Sequence, residues 1–129
     1  EEAALITGGD HDDINQLFDK LHDLGPKTVV ISDGPDGAYA SDGTRRLKMP
    51  IYPDPSPPYE RTGAGDAFTS AFVAALIHGS DIEGALQWGP INSMSVVQHV
   101  GAQKGLLTHG QLQKLLQNSP KNYRAEPLK

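Results

Sequence analysis

The stretch Thr62-Gly63-Ala64-Gly65-Asp66 leads directly into residues 67–77, AFTSAFVAALI, which are small or apolar at nearly every position. This composition predicts a buried helix, because a helix that is hydrophobic on all sides needs partners on all sides. The glycines place small residues at the start of that helix, where free backbone N–H groups and the helix dipole favour an anion. The sequence therefore predicts a helix whose first turn a phosphate can approach closely.

Asp66 lies in the predicted first turn of this helix, beside the small residues Gly63, Ala64 and Gly65. A carboxylate next to an anion-binding helix start can accept a proton from an attacking hydroxyl, or it can help to hold a metal ion. The plain alternative is a glycine-rich turn in which Asp66 only begins the helix. From this segment alone, these interpretations stay open.

The preceding segments alternate between helix and strand patterns. Residues 14–24 carry apolar side chains at helical spacing, and residues 28–31 form a β-branched run typical of a strand buried on both faces. Turn residues at 32–37 then lead to a predicted hairpin of residues 38–40 and 45–49. Together these patterns predict an α/β fold.

The part of the chain after residue 80 is predicted to be mostly helical. Asp81 and Thr108 are the expected N-caps of two helices, over about residues 82–98 and 111–116. Gly89-Pro90 predicts a kink or a break within the first of them.

Only one strong central strand is predicted, and a single strand cannot form the sheet that the helices would cover. The chain also opens on Glu1-Glu2, in what reads as a helix already under way. We therefore expect residues 1–129 to be one partial domain, either of a longer chain or completed by another polypeptide or a second copy. Residues 118–129 are polar and are expected to form a loose tail.

Composition narrows the classes of function. The 129 residues contain no cysteine, which excludes disulfides and cysteine-based sites and fits a cytoplasmic location. A net charge of -5 argues against a nucleic-acid partner, and no apolar run approaches the roughly 20 residues of a membrane span. The histidines have no metal-binding spacing along the sequence; they are His11, His22, His78, His99 and His109.

Several ordered motifs resemble those of the ribokinase-like, or PfkB-type, sugar and nucleoside kinases. Residues 60–68, ERTGAGDAF, resemble the second signature of that family, and residues 1–8 resemble the end of its Asn-x-x-Glu segment. Residues 29–38 are similar to its nucleotide-site strand and glycine turn, and residues 88–103 to its adenine-side helix and loop. The resemblance implies the C-terminal part of a three-layer α/β/α, Rossmann-like fold with a β-hairpin.

The resemblance also implies a role for each matched residue. Asp66 would be the catalytic base, with the backbone of Gly63, Ala64 and Gly65 as the anion hole for the transferred phosphate. Glu2 would act near magnesium and phosphate. The residues implied to line the nucleotide are Asp33, Gly34, Gly37, Thr62, Gly63, Gly65, Asn92 and Gly101.

The implied activity is transfer of a phosphoryl group from ATP, with Mg²⁺, to a hydroxyl of a sugar or nucleoside. A requirement for a monovalent cation (K⁺) is in doubt, because Glu60 stands where the family usually has Asp and Gly105 lacks a hydroxyl that some members have. The alternative, from a different class, is a non-catalytic nucleotide-binding module or an assembly partner without an acceptor site.

Overall fold

A computed structural model describes residues 2–54, 63–99 and 105–129 of the chain. Thr62 and Gly101, which were predicted to contact the nucleotide, lie outside these residues, as does Glu60. No helix in the described ranges is long and apolar enough to cross a membrane.

The described residues form five α-helices and four strands, with a short 3-10 turn (Gly34–Asp36) between the first two strands. In chain order the helices and strands are α1 (Glu2–Thr7), α2 (Ile14–Asp23), β1 (Val29–Ser32), β2 (Ala38–Ser41), β3 (Arg46–Met49), α3 (Ala64–Ile77), α4 (Ile82–Val97), α5 (His109–Gln117) and β4 (Glu126–Pro127). The predicted hairpin is therefore confirmed as β2 and β3.

The strands form one antiparallel sheet in the order β1-β2-β3-β4. Val30 pairs with Ala40 across the first pair, and Lys48 pairs with Tyr39 on one side and with Glu126 on the other. The predicted strand over residues 28–31 is confirmed as β1, and apolar side chains cover both of its faces, because Val29 and Ile31 pack in one apolar cluster and Val30 packs against another. Only Val29 is fully buried, and β1 lies at the edge of the sheet formed by the described residues.

Side chains of the sheet alternate between two apolar clusters, as expected for successive residues of a strand. Ala38 and Ala40 of β2 face the larger cluster, together with side chains of α3, α4 and α5. Tyr39, between them, faces the smaller cluster with Phe18 of α2 and Val29 of β1. Helices therefore cover both faces of the sheet, and the predicted three-layer α/β/α arrangement is confirmed in this partial form.

Helix α3 is buried on one side only. Its buried residues are Ala67, Phe68, Ala71, Phe72 and Ala75, whereas Val73 and Ile77 are 46% and 80% exposed. The prediction of a helix buried all round is wrong, because α3 packs mainly against α4 and its opposite side faces solvent. Of the kink or break predicted at Gly89-Pro90, the break does not occur, since α4 runs without interruption through Pro90.

The C-terminal residues pack against the rest of the chain, contrary to the expectation of a loose tail from residue 118. Strand β4 pairs with β3, and Tyr123 is 5% exposed within the larger cluster. The hydroxyl of Tyr123 donates a hydrogen bond to the carbonyl of Gln87 in α4. A single aromatic anchor and a short strand thus order a segment whose composition is mostly polar.

Candidate active site

The first turn of α3 has no capping side chain among the described residues. Gly63 is the N-cap residue, with φ 81°, a left-handed conformation that favours glycine. Gly65 is exposed, and outside its own helix no described residue lies within 4 Å of where a β-carbon would be. The backbone N–H groups of this first turn can therefore receive an anion, because a helix N-terminus without a capping side chain leaves such donors unsatisfied.

Asp66 is exposed in this first turn, and its carboxylate makes no hydrogen bond or ion pair with any other described residue. Thr69, three residues later, lies on the same side of the helix and donates its hydroxyl to the Gly65 carbonyl at 3.0 Å. Asp66, Thr69 and Ser70 line one shallow surface with Val73. A free carboxylate at a helix start can accept a proton from a hydroxyl that approaches this surface.

The turn between β1 and β2 is held by its own backbone. Asp33 donates its N–H to the Gly37 carbonyl at 2.8 Å, and Asp36 donates to the Asp33 carbonyl at 3.0 Å. Asp33 and Gly34 are exposed, whereas Gly37 is buried, with its α-carbon close to the Met49 carbonyl. Packing therefore accounts for a glycine at position 37, and its contact with a nucleotide stays a prediction.

One open groove of about 920 Å³ brings several predicted residues together. Glu2, Asp33 and Gly34 border it, and it extends to Thr69 of α3. Thr69 also lines the surface that contains Asp66. The groove with Glu2 and the turn at residues 33–34 therefore adjoins the surface of the predicted base. Thr69 was not predicted to belong to the site, although its spacing of three from Asp66 places both residues on one helix face.

Asn92 has a different environment from the exposed residues of the site. Its side chain is 5% exposed, and its Nδ2 donates to the Ala67 carbonyl at 2.9 Å. Its Oδ1 accepts the N–H of Leu107 at 3.0 Å. Asn92 thus ties α4 to the first turn of α3 and to the segment before α5, and its contact with adenine stays a prediction.

Two exposed carboxylates, those of Glu2 and Asp33, border the groove and could hold a metal ion. Carboxylate oxygens are the ligands that Mg²⁺ prefers, so the chemistry of these two donors fits this ion. Position 105 offers no space for a hydroxyl side chain, because a β-carbon there would lie 2.4 Å from the Ser95 carbonyl oxygen. A potassium site that uses a hydroxyl at 105 therefore does not fit.

The chain is similar in sequence to curated sugar and nucleoside kinases. Ribokinase from Bacillus subtilis (strain 168) is 33% identical over 121 residues, which is 90% of this chain and 40% of that protein. Adenosine kinase 1 from Arabidopsis thaliana is 34% identical over 106 residues, 76% of this chain and 30% of that protein. The chain thus spans about 40% or less of the length of these two curated relatives.

The fold is also shared with a solved kinase. The structure of Arabidopsis thaliana ribokinase complexed with ribose and ATP matches with a TM-score of 0.80 and 30% sequence identity, over 89% of this chain and 38% of that chain. The sequence model described as "pfkB family carbohydrate kinase" matches residues 1–109. The resemblance seen in the motifs is thereby confirmed, and the chain belongs to the pfkB family of carbohydrate kinases.

Proposed function

We propose that this chain is the nucleotide-binding, catalytic-base part of an ATP-dependent kinase that phosphorylates a hydroxyl group of a sugar or nucleoside. The observation that carries the proposal is the first turn of α3, which has no capping side chain among the described residues and in which the Asp66 carboxylate is exposed. The relatives named ribokinase and adenosine kinase support the two acceptor classes. The absence of cysteine is compatible with a cytoplasmic location, which we include in the proposal.

In this proposal Asp66 accepts the proton of the acceptor hydroxyl while the hydroxyl oxygen forms its bond to the γ-phosphorus and the bond to the ADP oxygen breaks. The backbone of Gly63, Ala64 and Gly65 stabilises the negative charge on the phosphoryl oxygens, assisted by the dipole of the 14-residue helix α3. Mg²⁺, when bound, neutralises phosphate charge, and Glu2 and Asp33 would hold it. The rate enhancement then comes mainly from positioning and charge stabilisation.

A second candidate is a nucleotide-binding module or assembly partner that does not itself catalyse transfer. One observation favours it: β1 is an edge strand of the sheet formed by the described residues, beside an open groove with apolar residues such as Leu17 and Val29 in its lining. Binding of ADP without turnover by the chain alone would support this candidate, and turnover by the chain alone would exclude it.

The test of the first candidate is Asp66→Asn in the catalytically active protein that contains this segment. We expect kcat to fall about 10²–10⁴-fold, the usual contribution of a general base, while calorimetry shows unchanged ADP affinity. The matched control is Asp23→Asn, an exposed carboxylate at the end of α2, which should keep the original rate. A near-normal rate for Asp66→Asn would show that this residue is not the base.

A further inference from the structure

Two exposed histidines meet beside the single tryptophan of the chain. His78 follows the last residue of α3, Trp88 lies within α4, and His109 is the first residue of α5. The ring centroids of the two histidines are 4.9 Å apart, and those of His109 and Trp88 are also 4.9 Å apart. His78 and Trp88 are separated by 6.0 Å. The fold thus places side by side two imidazole rings that are far apart in the sequence.

The other three histidines have ring nitrogens that are already engaged. His22 binds the Pro26 carbonyl through Nδ1 at 3.0 Å and the Ser41 hydroxyl through Nε2 at 2.7 Å. The Nδ1 of His99 lies 2.8 Å from a backbone carbonyl one turn earlier, and His11 pairs with neighbouring aspartates. In the described ranges, neither His78 nor His109 makes a hydrogen bond through its ring.

The spacing of the two rings is compatible with a shared ion. Imidazole nitrogens bind Zn²⁺ at about 2.0–2.1 Å, and two rings whose centroids are 4.9 Å apart can bind one ion beside them through a bent nitrogen–metal–nitrogen arrangement. Both histidines are exposed, so each ring can rotate to present a nitrogen.

We propose that His78 and His109 bind one divalent transition-metal ion of the borderline class, such as Zn²⁺ or Ni²⁺, with water completing its coordination. Imidazole nitrogen selects such ions, whereas Mg²⁺ prefers oxygen ligands and is not held here. The site is separate from Asp66 and the groove, and it does not depend on the proposed kinase function. A metal bound there joins the end of α3 to the start of α5.

The experiment is a titration of the chain with NiCl₂ while the fluorescence of Trp88 is recorded. Because this is the only tryptophan in the sequence, a paramagnetic ion held next to it should quench the whole signal. We expect saturable quenching by one Ni²⁺ per chain and none by MgCl₂. His78→Gln and His109→Gln should each raise the midpoint at least about tenfold, since even partners outside the ligand shell contribute that much to metal affinity.

The matched control is His99→Gln, which removes a histidine whose Nδ1 lies 2.8 Å from the Ser95 carbonyl and should leave the midpoint unchanged. Quenching that never saturates, or that is the same in all three variants, would overturn the proposal. A measurement on the unmutated chain is independent of whether any variant folds. Ni²⁺ should broaden the ring NMR signals of His78 and His109 before those of His22 and His99, and broadening in any other order would also overturn it.

Discussion

Gly37 is a residue whose identity is determined by its surroundings. Its backbone has φ 98° and ψ -142°, a region that is essentially restricted to glycine, and a β-carbon there would lie 2.2 Å from the Met49 carbonyl oxygen. We therefore expect Gly37→Ala to lower the free energy of unfolding by about 3 kcal/mol or more, from strain and overpacking together. Urea unfolding followed by circular dichroism measures this.

The comparison for Gly37 is Gly43→Ala, in the loop between β2 and β3. Gly43 also has a positive φ, 91°, but nothing lies within 4 Å of its potential β-carbon. That substitution should cost only the conformational strain, about 1–2 kcal/mol. Equal losses in the two variants would mean that the close approach to Met49 contributes nothing.

Asn92 shows why the hydrogen-bond partners of a buried polar side chain cannot be predicted from local sequence. A polar side chain within an apolar helix has to find partners, so its burial with hydrogen bonds is expected. Which partners it finds depends on how α4 packs, and these are the backbone groups of Ala67 and Leu107. Neither residue is close to Asn92 in the sequence, so no local pattern could name them.

Asp81 is the N-cap of α4, and its carboxylate makes the stability of the fold depend on pH. The N–H of Gly84 donates to its Oδ1 at 3.0 Å, and Arg45 donates to its Oδ2 at 3.2 Å. The hydrogen bond from Gly84, together with Arg45, holds the pKa of Asp81 below its ordinary value. A pKa that is lower in the folded state stabilises the fold above about pH 4, and this contribution is lost as the pH falls through the folded-state value.

We expect Asp81→Ala to lower the free energy of unfolding at pH 7 by about 1 kcal/mol, the usual cost of losing an N-cap. Asp81→Asn is the matched variant, because asparagine caps a helix about as well but carries no charge. Asp81→Asn should keep most of the free energy of unfolding at pH 7. Its free energy of unfolding should also fall less than that of the original chain when the pH is lowered from 7 to below 4. If the stability of Asp81→Asn changed with pH as much as that of the original chain, the Asp81 carboxylate would not be a source of the pH dependence.

In the helices, local sequence patterns predict the capping residues but not which side of a helix is exposed. The Thr108 cap of α5 was predicted from residue types alone, and the structure confirms it with a hydrogen bond from the Gln111 N–H to the Thr108 hydroxyl. Capping depends on neighbours within one turn, so local sequence contains the information. The exposure of Val73 and Ile77 in α3 depends instead on what lies opposite, which composition does not specify.

Tyr123 connects the end of the chain to the core of the molecule. It contacts Tyr52 edge to face, with ring centroids 5.0 Å apart, and donates its hydroxyl to Gln87. Burial, assisted by the nearby Tyr52, raises the pKa of the Tyr123 hydroxyl, so it stays a donor even at a pH where an exposed tyrosine would ionise. This residue is the anchor that makes the last segment part of the fold.

Removal of this anchor should therefore destabilise the whole chain. We expect Tyr123→Ala to cost about 3 kcal/mol or more, as for other large aromatic side chains in cores, and Tyr123→Phe about 1 kcal/mol for the hydrogen bond. Thermal unfolding measures both, with exposed Asn122→Ala as a control that should stay within about 0.5 kcal/mol. A loose tail would instead give three variants of equal stability.

The sequence by itself determined the family, the hairpin and the helix that begins at the glycine-rich motif. These depend on residue types at short spacing, where turn chemistry, capping and helix-start electrostatics act within a few residues. Tertiary structure alone decided that β1 lies at an edge of the described sheet, that Glu2 and Asp33 border the same groove as Thr69, and that His78 meets His109. The physical reason is that these relations arise from packing between distant segments, and burial and proximity belong to the folded chain rather than to any local pattern.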